Sequence, residues 1–407
     1  MRRVVKVSRI RIIITIIVVV LTTLLTGCTG KEPNEIAYVV ALGIDSTDDD
    51  NYKITIQYAN TTQISGGASE SGGKAGSEIV DNVTIEAPNI YAGVGLANNI
   101  VSKSFLCHMQ LIVFSKEIAE KGVKDMIETL VRSEEIRPDV FIAVANTTAN
   151  DYLTSVNPEM EVNPAQYYQL IYQKNQLVGI PDGQLREFFT GLYTDNYDSI
   201  LPVAGVIEGA GGNSQNDDKG QSKDGQNEGS EGSSESLDSF ESKSSDDKDE
   251  NEKEKDAEKN TSKYEYDIKN YVGGETAIEK KNKAEAIGAA VFEKDKMVGE
   301  LGEVETEICK ILKGDYTYSY LTYYNNDTPD IPITVKTTQQ KKPKYKIDTD
   351  KKTVDIELYI ESDLYSLPAD YNVENKIEDF ERDVANYTSS ACTEFINNLQ
   401  KSIIVTF

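Results

Sequence analysis

From Gly209 to about Lys263 the chain is Ser, Gly, Asp, Glu, Lys and Asn almost throughout, with about twice as many acids as bases and almost no large apolar residue. Ordering one residue costs about 1–2 kcal/mol of backbone entropy, and a segment without apolar side chains has no burial to offset it. The stretch is therefore expected to be a disordered, solvated acidic linker. It divides the 407 residues into two blocks that can fold, 28–208 and 264–407, behind a leader at 1–27. The hydrophobic fraction of 39% is low because this stretch pulls it down, and the remainder can support cores. Length alone suggests two or three domains.

The leader has its own logic. Arg2, Arg3, Lys6, Arg9 and Arg11 precede an apolar run from Ile12 to Leu25, about fourteen residues broken only by threonines. A spanning helix needs about twenty, whereas a signal-peptide core needs fewer. Leu25-Thr26-Gly27-Cys28 then follows the leucine-small-small-cysteine pattern of a bacterial lipobox. Small residues fit a peptidase pocket, and the Cys28 thiol is the strong nucleophile available to take a diacylglyceryl thioether. Cleavage would make Cys28 the first residue, held to a membrane at about 0.8 kcal/mol per buried methylene.

Both blocks read as α+β, with mostly antiparallel or mixed sheets packed against helices. In the first, Glu35–Gly43 and Lys53–Ala59 are predicted strands around a turn, and Ser65–Ser77 is a Gly/Ser-rich loop. A short strand follows at Val83 and Ile85. Pro88 is placed to start a helix with Ile90, Val94, Ala97 and Val101 on one face. Gln110–Phe114 is a strand, Ser115 caps one helix carrying Ile118, Val123, Met126, Ile127 and Leu130, and Asp139–Ala145 is a further strand. Residues from about 150 to 207 hold two helices and a short extended exit at Ile200–Val203, with a subdomain split near 150 left open. In the second block Ala286–Phe292 and Met297–Leu301 form a hairpin, and Glu303–Lys313 is a helix ending at Gly314. Thr353–Glu361 alternates strictly, and a long helix runs over 370–400.

Chemistry is scarce. The net charge of -26, from 68 acids and 42 bases, argues against nucleic acid and against broad contact with anionic headgroups. Lipidation leaves Cys107, Cys309 and Cys392, an odd and scattered set that is no disulfide framework. His108 is the only histidine, so no His-rich metal site exists and a Ser-His-Asp set is disfavoured. Beside Cys107 at the entry to a strand, with the two neighbours facing opposite ways, it reads as structural. Arg132 and Arg137 flank a helix end. They either bind an anionic group or, the simpler option, cap carbonyls and pair with Glu134 and Glu135. Gly93-Val94-Gly95 lacks the lysine and preceding strand of a phosphate loop. No nucleophile and base come together, and no catalytic residue, cofactor or metal is expected.

Several stretches, in order, resemble the GerC-type spore germination lipoproteins, the C subunits of nutrient germinant receptors. They are Gly27-Cys28, the strand from Asn34 to Asp45, Val83–Ala87, His108–Phe114, Glu117–Gly122, the Arg132–Arg137 turn, Gly288–Gly299 and Glu303–Gly314. Each motif is weak alone, and the order makes the match specific. The family usually carries Trp-Asp after the lipid cysteine, where this chain has Thr29-Gly30. The resemblance implies a non-catalytic subunit on the outer face of the inner spore membrane. Its partners would be integral membrane A and B subunits, in a complex required for nutrient-triggered germination. His108, Arg132 and Arg137 would then be structural or a subunit contact. A solute-binding lipoprotein of a transporter is the alternative, and it predicts two α/β lobes with parallel sheets and a hinge. A cell-envelope hydrolase is a third reading, disfavoured by the missing nucleophile and base.

Overall fold

A computed structural model describes residues 11–20, 36–49, 51–60, 80–101, 103–157, 163–173, 179–195, 197–207, 270–276, 283–325, 328–366 and 376–402. Cys28, most of the leader, the Ser65–Ser77 loop and the acidic segment lie outside them. Residues 11–20 are helical, with exposed apolar side chains. Among the described residues no helix is long and apolar enough to cross a membrane.

The architecture is α+β, centred on a mixed sheet. Strands β1 (Ile36–Ser46), β2 (Tyr52–Ala59) and β3 (Val80–Ala87) form an antiparallel meander. Helix α1 (Ile90–Ala97) and the short strand β4 (Lys103–Phe105) follow, and β4 runs parallel to β1. Beyond β1 the centre is parallel, through β5 (Leu111–Ser115), β6 (Phe141–Ala145) and β7 (Ile200–Val206). Strands β5 and β6 read LIVFS and FIAVA and are buried along their whole length. Such continuous apolar runs are what a parallel strand covered on both faces requires.

Helices supply that cover. On one face Ile112 and Phe114 join α1, α2 (Lys116–Lys121), α3 (Lys124–Val131) and α6 (Leu185–Leu192) through Ile90, Ile118, Ile127 and Phe188. On the other, Leu111 and Val113 meet α4 (Ala149–Ser155) and α5 (Pro164–Tyr172) through Leu153 and the buried tyrosines Tyr152, Tyr168 and Tyr172. Those phenols are partnered: Tyr152 and Tyr172 are 2.8 Å apart at their hydroxyls, and Tyr168 donates to Gln57 Oε1 at 2.6 Å. Burial drives their pKa values upward, so they stay neutral.

The sheet does not stop at the acidic segment. Strand β8 (Ala284–Glu293) pairs antiparallel with β7, and β9 (Lys296–Leu301) pairs with β8, giving the order β3-β2-β1-β5-β6-β7-β8-β9. The hairpin expected to open the second block therefore completes the sheet of the first. Helix α7 (Glu303–Lys313) ends at Gly314, whose φ of 72° is the expected left-handed cap. Its buried Lys310 donates to the Ile180 carbonyl at 3.0 Å. A separate antiparallel sheet follows in the order β10 (Tyr318–Asn325), β11 (Thr328–Asp348) and β12 (Thr353–Ser366), with α8 (Ile377–Ser402) against it.

Three local expectations change. Asn89, not Pro88, opens α1, its side chain accepting from Ala92 N at 2.9 Å. The helix expected from Ser115 to Leu130 is two, because Gly122 turns at φ 122° and the Val123 N–H donates to Asp295 O in the β8–β9 turn. The exit at Ile200–Val203 is the start of an internal strand, with an irregularity after Pro202 where the ladder lacks a donor.

The chain leaving the acidic segment is pinned to β7 by glycines. A Cβ on Gly205 would lie 2.0 Å from the Gly273 carbonyl carbon and from the Gly274 nitrogen. Asn146 Nδ2 donates to Gly273 O at 2.5 Å, and Gly273 N–H to Ile287 O at 3.0 Å. Gly205→Ala should therefore destabilise the protein by about 2 kcal/mol or more, since neither backbone can retreat. Equilibrium urea unfolding measures this, and an unchanged midpoint would contradict the crossing.

Asp45, 4% exposed, accepts from Ala149 N at 2.6 Å and Asn150 N at 3.0 Å, capping α4. Burial nevertheless raises its pKa above the ordinary carboxylate value. A carboxyl with a raised folded pKa contributes stability at low pH that is lost as pH rises through that value. Relative to Asp45→Asn, the wild type should therefore lose stability as pH rises through and above the usual carboxylate range. Parallel unfolding curves of the two proteins against pH check the sign.

Candidate functional site

The N-terminal ends of β1, β4, β5 and β6 share one end of the large sheet, because all four run parallel. The residues singled out by sequence gather around that end. Helices α1 and α3 also finish there, so the negative ends of two helix dipoles converge on it.

His108 closes a 3-10 turn, Leu106–His108, immediately before β5. The turn, not a strand, sets the directions of Cys107 and His108, so the expected alternation does not apply. The exposed His108 ring lies against Tyr38 of β1 and Phe105 of β4, with centroids 5.5 and 5.7 Å away, and Tyr38 meets Phe105 edge-on at 6.2 Å. Three rings from three segments thus cap the entrance to the sheet. Beneath them Tyr58 and Ser104 share a buried hydroxyl hydrogen bond of 2.8 Å, and Asn98 Oδ1 accepts from Ser104 N at 2.7 Å.

Arg132 ends α3 as its cap residue, with its backbone N–H donating to Glu128 O. Its side chain donates to the Glu128 carboxylate at 2.7 Å, and the Tyr193 hydroxyl donates to the same group. The Tyr193 hydrogen bond, with Arg132 and Lys124 adding charge, holds Glu128 below the usual carboxylate range. Arg137 Nε lies 3.2 Å from Asp139. The partners are thus Glu128 and Asp139, where Glu134 and Glu135 were expected. An i,i+4 acid lies one helical turn back on the same face as Arg132, within reach without bending the chain.

Arg132 lines a shallow groove together with Tyr91, Asn98, Lys103, Ser104 and Leu106. Around it Tyr91, Leu96, Ile100 and Val131 are exposed, Ile100 at 69%. The groove thus carries two cations, Lys103 and Arg132, and two carboxylates, Glu134 and Glu135, beside exposed apolar side chains. Burial pushes the Cys107 thiol up, and those of Cys309 and Cys392 up to about 11, which removes thiolate character. Among the described residues no group of three or more His, Cys, Asp or Glu side chains is placed to hold a metal.

Two family models match the chain in order. Residues 30–206 match the spore germination protein N-terminal domain, and residues 287–404 match the spore germination B3/GerAC-like C-terminal domain. The chain belongs to the GerAC-like spore germination family. Spore germination protein KC of Bacillus subtilis (strain 168) is 26% identical over 174 residues, 39% of this chain and 42% of the relative. Putative spore germination protein YfkR of the same organism is 30% identical over 149 residues, 35% of this chain and 37% of the relative. The chain spans about two fifths of the length of the curated relatives it matches. The crystal structure of the GerBC protein aligns with a TM-score of 0.42 at 14% identity, over 88% of this chain and 81% of that one.

The N-terminal family domain begins two residues past Cys28, and its parallel centre delivers His108, Arg132 and Arg137 to one end. Tyr38 and Phe105 escaped sequence reading because an aromatic in a strand ordinarily signals core. Leu96 and Ile100 carried a readable signal, since both fall off the Ile90-Val94-Ala97 stripe.

His108→Ala is expected to leave the thermal midpoint within about 2 °C of wild type, because an exposed ring gives up little burial when removed. A drop beyond about 5 °C in a thermal melt would make the ring structural.

Proposed function

We propose that this chain is a lipid-anchored, non-catalytic subunit of a membrane germinant receptor, required for nutrient-triggered spore germination through assembly with integral membrane A and B subunits. The observation that carries the reading is the ordered match of both family domains behind Leu25-Thr26-Gly27-Cys28. In this reading Cys28 carries the lipid, residues 1–27 are removed, and the protein lies on the outer face of the inner spore membrane.

Geometry supplies an orientation. Seven residues lie between Cys28 and Ile36, the first residue of β1, which makes eight Cα–Cα steps. An extended chain spans at most about 3.6 Å per residue, so the tether reaches about 30 Å. The end of the sheet bearing Tyr38, Phe105, His108, Arg132 and Arg137 is thereby kept within reach of the bilayer and of the extracellular loops of its partners. Its exposed apolar and aromatic groups suit a protein contact, where such residues concentrate. The strongly negative body repels anionic headgroups, so the lipid and the partner subunits, not surface charge, hold it there.

Co-purification from detergent-solubilised spore membranes tests this. Wild type should bring down two integral membrane partners, and Cys28→Ala should partition to the soluble fraction and lose them. A protein that purifies alone and binds an amino acid or sugar by itself would replace this reading with the solute-binding one.

A further inference from the structure

The small C-terminal sheet has an edge built to be extended. Strand β12 pairs with β11 along one side, and no other described strand pairs with its outer side. Its two faces differ sharply. Val354, Ile356, Leu358, Ile360 and Leu364 point to the side of α8, and they are only half-buried or exposed. A groove of about 1110 Å³ runs between them and α8, where Val384, Cys392 and Ile396 form the other wall. That exceeds the roughly 300–1,000 Å³ of a small-ligand pocket.

The opposite face carries a row of exposed carboxylates, Asp355, Glu357, Glu361 and Asp363. On its inner side β11 answers that row with lysines: Lys346 stands opposite Asp355, Lys344 opposite Glu357 and Lys336 opposite Asp363. Lys344 Nζ lies 3.7 Å from Glu357 and 2.6 Å from the Tyr359 hydroxyl. On the outer side the same carboxylates have no matching strand among the described residues. Opposite charges across a ladder stabilise it, and like charges directly opposite destabilise it.

We propose that the outer edge of β12 and the groove beneath α8 receive an extended strand of a partner protein in which Lys or Arg alternates with aliphatic residues. Three features each select one property of this occupant. The N–H and C=O row that no described strand pairs demands a strand, because only extended backbone satisfies it in register. The apolar floor demands aliphatic side chains at every second position. The acidic row demands cations at the positions between, as β11 already provides on the other side. A second copy of this chain is a poor occupant, since pairing β12 with itself sets carboxylates against carboxylates.

The test uses the full-length protein in detergent and a fluorescein-labelled peptide of about nine residues, the length of a strand, alternating valine and lysine. Fluorescence anisotropy should show it binding about tenfold or more tightly than the valine–glutamate peptide of equal length. The same valine–lysine peptide, N-methylated throughout, should not bind, because it has lost its backbone donors. Glu357→Lys with Glu361→Lys, at two exposed positions that leave the core untouched, should reverse the preference between the two charged peptides. Equal binding of both charged peptides, or binding that survives N-methylation, would overturn the proposal as mere surface adhesion. Concentration-dependent self-association abolished by the double variant would overturn it in favour of a second copy.

Discussion

The pairing of β7 with β8 is the contact on which the large sheet depends. Strand β7 lies between β6, which precedes the acidic segment, and β8, which follows it. Without β8, the buried ladder side of β7 would present unpaired N–H and C=O groups, and each such group left dry costs about 1–3 kcal/mol. The crossing of Gly205 against Gly273 and Gly274 fixes the register of this closure, because two backbones in contact leave no room for a slip. A long connection between these strands costs little, since loop-closure entropy grows only with the logarithm of length.

That closure also explains why the two family domains are not two separate folding blocks. The C-terminal match begins at residue 287, inside β8, yet β8 and β9 are hydrogen-bonded into the sheet that the N-terminal match builds. Helix α7 then leans back through Lys310 onto Ile180. Only the β10-β11-β12 sheet with α8 stands apart, joined through α7 and the buried Cys309, Leu312, Cys392 and Phe395.

Surface features divide along the same line. The large sheet gathers Tyr38, Phe105, His108, Arg132 and Arg137 at the end where β1 begins. The small sheet leaves an acidic strand edge over an apolar groove. Both are exposed surfaces, and they differ in charge and in shape. In the function proposed above, the first surface would face one partner and the second would receive another segment.

Local pattern and composition were enough to read the α+β class, the strands with strict alternation and the Gly314 helix stop. Each depends on residues close in sequence: a period of two, a period of 3.6, or a residue that tolerates positive φ. Pairing partners were not legible, because β7 and β8 are brought together only by burial of faces some eighty residues apart in the chain. The same limit applied to the site. His108, Arg132 and Arg137 were visible as unusual residue types, but Tyr38 and Phe105 joined His108 only once β1, β4 and β5 lay side by side. The Arg132–Glu128 pair follows from i,i+4 spacing along α3, whereas Tyr193 met Glu128 only because α3 and α6 pack on one sheet face.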